Sequence, residues 1–144
     1  MEYGEEEVEA AARVIRSRNP FRYYGVGDGP HEVTDFEREF ASHLGASHAL
    51  MVNAGSSALI CGLIGAGVRP GDEVVVPAYT WNASANAVVA CGAVPALADV
   101  DESLTLDPED VERRLTAKTR AILPVHMSKP WSRAATSRST NGVV

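Results

Sequence analysis

Between His48 and His126 the sequence alternates short apolar runs with segments of helical length, and few folds satisfy that alternation. HALMV (48–52), EVVVP (73–77), VPALADV (94–100) and RAILPVH (120–126) have strand length and are rich in β-branched or aliphatic residues. Between them lie SALICGLIGA and TWNASANAVVACG, each followed or ended by a glycine, and then a helix that Asp107 caps, with Pro108 at its first position. Val74, Val75 and Val76 form an unbroken β-branched run, the pattern of a strand covered on both faces. Strand and helix repeating at these lengths predict right-handed βαβ crossovers and an α/β fold of three layers with a mostly parallel sheet. Ligands of such sheets sit beyond the carboxyl ends of the strands, here the loops NAGSS, AYTWN, DVD and HM.

Ahead of this region, Val8, Ala11, Ala12 and Ile15 recur at helical spacing over Glu5–Ser17, behind an acidic first turn that suits the helix dipole. The stretch NPFRYYGVGDGP breaks that pattern and reads as loop; Gly25, Gly27 and Gly29 depart from GxGxxG spacing and follow no strand. A second helix is expected to start at a capping box of Thr34 and Glu37, to carry Phe36, Phe40 and Leu44 on one face, and to stop at Gly45.

A net charge of −6 without a basic stripe argues against nucleic acid. The acidic opening MEYGEEEVEA lacks an apolar core, so no secretory signal or membrane span is expected there, and the expected location is cytoplasmic. Cys61 and Cys91 form no CxxC and are expected to be buried free thiols; no histidine spacing suggests a metal site.

Three stretches hold candidates for chemistry. Gly55, Ser56 and Ser57 follow a strand and open a helix, where free backbone N–H groups and the dipole favour a phosphate or carboxylate. The same three residues also fit a plain tight turn with a serine N-cap. Trp81 is placed either to stack on a planar cofactor or to fill the core, with Asn82 a usable polar neighbour. Asp99 and Asp101 fit a cation pair or, more ordinarily, a turn; His126 fits a ligand contact or a rim histidine.

Taken together, VNAGSSALICGLIGAGVRPGDEVVVPAYTWNASANAVVACGAVPALADVDESLTLDPEDVERRLTAKTRAILPVHM closely resembles the DegT/DnrJ/EryC1/StrS aminotransferases, with FEREFASHLGASHAL matching the segment before it. FRYYG resembles the subgroup acting on aminoglycoside-type cyclitols or sugars. The resemblance implies the N-terminal part of the large domain of PLP-dependent transferase fold type I. It also implies pyridoxal 5'-phosphate (PLP) as cofactor, an amino acid as donor, a keto sugar or keto cyclitol as acceptor, and a homodimer. Carried over by residue, Gly55, Ser56 and Ser57 would cradle the PLP phosphate, Trp81 would stack on its ring, and His126 would line the site.

Transamination with PLP also needs a lysine that bonds the cofactor and an acid that keeps the ring nitrogen protonated. The only lysines are Lys118, in a turn ahead of the fourth apolar run, and Lys129, in the tail SKPWSRAATSRSTNGVV that departs from the family. The expected organisation is a helix and Gly/Pro-rich loop over 1–33, a partial PLP-binding domain over 34–127, and a divergent disordered tail over 128–144 that reads like a shifted frame. The expected product is an aminotransferase fragment with the non-covalent half of a cofactor site and no activity alone. Competing readings are a binding module that pairs with a full-length paralogue, a fragment of a PLP-dependent sugar dehydratase, and a nucleotide-binding α/β domain.

Overall fold

The computed structural model describes residues 4–20 and 31–127. The FRYYG and GVGDGP stretches and the tail lie outside them. Contacts divide the chain into two units, Met1–Met51 and Val52–Val144.

The first unit contains α1 (Glu5–Ser17) and α2 (Glu32–Leu44). The bounds of α1 are those its periodicity predicts. Its start is closed by the Gly4 amide donating to Glu7 Oε2 at 2.6 Å, a bond that holds the Glu7 carboxyl below its usual range. Helix α2 departs from expectation at its start, because His31 is the N-cap and Thr34 already lies within the first turn. The Glu37 carboxylate, assigned to a capping box, instead accepts from the backbone N–H of Met51 and is buried. Gly45 does end the helix in the left-handed region, at φ 66°, with its N–H returned to Ser42 O.

HALMV is not a strand. A strand exists by its ladder, and residues 48–52 have no ladder partner among the described residues.

The second unit is α3 (Gly55–Gly65), β1 (Glu73–Pro77), α4 (Ala83–Ala90), β2 (Val94–Ala98), α5 (Pro108–Arg114) and β3 (Thr119–Ile122). The sheet is parallel with order β2-β1-β3, so three of the four expected strands form and the valine run takes the centre. Val74, Val75 and Val76 have no exposed surface, which is what both-face cover requires. Val74 and Val76 pack with Leu63 of α3, Ala87 and Val88 of α4, and Ala121 of β3. Helix α5 starts as its sequence dictates: Asp107 Oδ1 accepts the Glu109 N–H at 2.9 Å and Pro108 occupies the first turn.

Cover is incomplete elsewhere. Helix α3 is apolar on all sides, a composition that normally means full burial, yet only Leu63 is buried. Ile64, Val89 and Leu97 are each more than half exposed. Cys61 is also exposed and Cys91 half-buried, correcting the expectation of two buried thiols; both are free.

Candidate functional site at the carboxyl rim of the sheet

Helix α3 runs into β1 through the turn at Gly67–Asp72, so its C-terminus lies at the sheet's amino edge and its N-terminus at the carboxyl rim. The loop Ala78–Asn82 leaves β1 at that same rim. Topology thus puts Gly55, Ser56, Ser57 and Trp81 at one end of one unit.

The start of α3 removes the bland reading of the serines. The N-cap is Ala54, in an extended conformation, and Gly55, Ser56 and Ser57 are the first three helical residues. Alanine has no side-chain oxygen, and no side chain caps this helix. Neither serine is therefore the N-cap. Gly55 is not a turn residue either, since its φ lies outside the left-handed region and a Cβ there would meet nothing within 4 Å. Glycine is a weaker helix former than alanine, and here neither packing nor backbone shape asks for it. The result is an open helix terminus with donors aimed outward and room for close approach.

Trp81 is 78% exposed, so it is not a core residue. Its loop is held from below: Thr80 Oγ1 and the buried Ser84 Oγ lie 3.0 Å apart, and the Ser84 N–H donates to Trp81 O at 3.1 Å. The TxxxS spacing that makes this clasp is visible in the sequence, but the residues are too ordinary for it to stand out. Tyr79, on the same loop, is 53% exposed and went unnoticed beside Trp81. Asn82 is exposed at the N-cap of α4 without capping it.

The acidic candidates resolve into structure. Asp101 Oδ1 accepts from the N–H and hydroxyl of Ser103, closing the turn after β2, which is the ordinary reading. Asp99 donates its N–H to Asp110 Oδ2 at 2.7 Å. Asp110, which sequence inspection passed over, is 3% exposed and pairs with Arg113 and Arg114 at 3.0 and 3.3 Å. The Asp99 N–H first, and then the two guanidinium groups, hold its carboxyl below the usual range against the opposing effect of burial. His126 is exposed on the segment following β3, on the rim side.

Lys118 stands at the other end. Its carbonyl accepts the N–H of Glu73, the first residue of β1, so this exposed lysine is at the amino edge, a strand's length from the α3 N-terminus.

The sequence model of the DegT/DnrJ/EryC1/StrS aminotransferase family matches residues 3–128. The chain is 44% identical over 126 residues to dTDP-3-amino-3,4,6-trideoxy-alpha-D-glucose transaminase of Streptomyces venezuelae, covering 87% of this chain and 32% of the relative. Among solved structures, 3-amino-5-hydroxybenzoic acid synthase superposes with a TM-score of 0.78 at 41% identity, over 88% of this chain and 32% of that one. A putative sugar aminotransferase of Streptococcus pneumoniae in its PLP form gives 0.72 at 28% identity, over 84% and 29%. The chain thus spans about 30% of the length of the curated relatives it matches.

Proposed function

The chain belongs to the DegT/DnrJ/EryC1/StrS aminotransferase family, and on that premise we propose that its sheet unit is the phosphate-and-ring half of a PLP site. The fold agrees with that membership: it is α/β, with a small parallel sheet, as in the N-terminal part of the PLP-dependent aminotransferases it superposes on. The whole protein of this type would move an amino group from an amino acid to a keto sugar or keto cyclitol, as one subunit of a homodimer. In domain terms, residues 34–127 would be the partial cofactor-binding domain.

One observation carries the reading. Helix α3 opens at the rim with an alanine N-cap, a glycine beneath open space and two serines, so nothing in the helix itself neutralises its first-turn donors. A phosphate dianion matches that arrangement in charge and in its need for several N–H donors. The residues fit the group. Gly55, Ser56 and Ser57 would hold the phosphate, and Trp81, exposed on a clasped loop, would present a flat face to the ring. Bound PLP supplies the electron sink for amino transfer. The chain's own residues bind and orient it, and His126 would border the space where an acceptor enters.

Among the described residues no lysine is positioned for covalent attachment, because Lys118, the lysine they contain, is at the opposite edge of the sheet. The 144-residue chain alone is therefore proposed to bind PLP reversibly and not to transaminate. Equilibrium dialysis against PLP and against pyridoxal, its analogue without phosphate, tests this. Retention of PLP well above pyridoxal is expected; equal retention of both would remove the cradle. Turnover from glutamate by this chain alone would overturn the half-site reading.

A further inference from the structure

The two serines of the cradle are equivalent on paper and not in the fold. A serine hydroxyl has a single proton to donate. Ser57 Oγ donates to Asn53 Oδ1 at 2.8 Å, four residues back in the loop before α3, and Ser57 is half-buried. Ser56 is exposed, and its hydroxyl has no hydrogen-bond partner among the described residues. We propose that Asn53 is a positioning residue that withdraws Ser57 from phosphate donation and leaves Ser56 as the one serine hydroxyl that donates to the cofactor phosphate.

The proposal rests on the PLP reading above and goes a step past it. With its O–H directed at Asn53 Oδ1, Ser57 offers only lone pairs to the other side, and lone pairs repel a phosphate oxygen. Its share in the cradle is then its backbone N–H, which Ser57→Ala retains. Asn53 does this without charge, so it fixes Ser57 without adding repulsion next to a dianion. Removing the amide of Asn53 would free the Ser57 proton.

That consequence separates a positioning role from a merely structural one. Dissociation constants for PLP and pyridoxal are measured by equilibrium dialysis on the full chain and on four variants, with circular dichroism confirming the fold of each. Ser56→Ala is expected to weaken PLP about tenfold, the loss typical of one hydrogen bond to a charged group, and to leave pyridoxal unchanged. Ser57→Ala should stay within about twofold of the original chain, and Ser56→Ala with Ser57→Ala should match Ser56→Ala alone. Asn53→Ala added to Ser56→Ala should bind PLP more tightly than Ser56→Ala alone, because the freed Ser57 hydroxyl substitutes as donor. If Ser57→Ala costs as much as Ser56→Ala, or if Asn53→Ala brings no recovery, the assignment is wrong. If the unaltered chain holds pyridoxal as tightly as PLP, the cofactor reading itself fails, and the assignment with it, before any variant is compared.

Discussion

Helix α2 and strand β1 are both marked in the sequence by their apolar residues, but the fold treats them differently. Phe36, Phe40 and Leu44 lie along one face of α2 and remain 45%, 44% and 61% exposed, the two rings stacked at 5.5 Å. They border a groove of about 370 Å³ shared with His48 and Met51. Val74, Val75 and Val76 of β1 are entirely covered, Val74 and Val76 by neighbours from α3, α4 and β3. An apolar stripe states which side chains need cover; only elements arriving from elsewhere supply it. In β1 those elements are present within the same unit, and substitutions in the two places should therefore differ sharply.

The largest effect is expected in β1. Val76→Asp would bury a carboxylate with no partner and should unfold the sheet unit, a cost of several kcal/mol readable as loss of the cooperative transition in urea. If this variant melts like the original chain, the core described here is not what holds the unit.

Next comes Asp110, the buried charge that ties β2 to α5. Its folded carboxyl titrates below the unfolded value of about 4, so its contribution is fully present above that pH and is lost as pH falls through the lower, folded value. Asp110→Asn should lower the melting temperature at pH 7 and flatten its decline below pH 4. An acid limb unchanged by this substitution would show that the Asp99 and arginine contacts carry no stability.

Two left-handed glycines sharpen the comparison on a smaller scale. Gly92, at φ 74°, has Pro70 Cβ 3.1 Å from where its own Cβ would be, whereas Gly45, at φ 66°, faces open space. Gly92→Ala should cost about 2 kcal/mol and Gly45→Ala only about 1, the backbone strain alone. Equal costs would mean that packing around Gly92 yields freely.

The smallest effect on stability is expected at α2. Phe40→Ser should change unfolding free energy by less than about 0.5 kcal/mol in urea denaturation, because the ring is already 44% exposed. A large loss of stability would show that the exposed ring contributes to the fold after all.

Much of this was legible in the residues because the signals were local. The period of Val8, Ala11, Ala12 and Ile15 is enough for α1, Asp107 and Pro108 are enough for the start of α5, and three consecutive valines are enough for a central strand. Each of these depends on residues within a turn or a strand's length. The parts misread depend on distant partners. HALMV has the composition of a strand but no ladder among the described residues, and Glu37 stands where a local cap would, yet its acceptor oxygen serves Met51, fourteen residues on. Cys61 has the neighbours of a buried thiol in sequence and solvent as its neighbour in space.

The candidate site divides the same way. That Gly55, Ser56 and Ser57 begin a helix after an apolar run, and that Trp81 follows a strand, is written in the sequence. Its resemblance to the aminotransferases follows from the same letters, because such motifs are contiguous. Tertiary structure alone decided that Ala54 is the N-cap, that Trp81 is open, that Lys118 stands at the far edge, and that the Ser57 hydroxyl donates to Asn53. The physical reason is that residue type sets what a group can donate, accept or cover. Which partner it meets depends on where the chain brings the other groups, and no single stretch of sequence contains that.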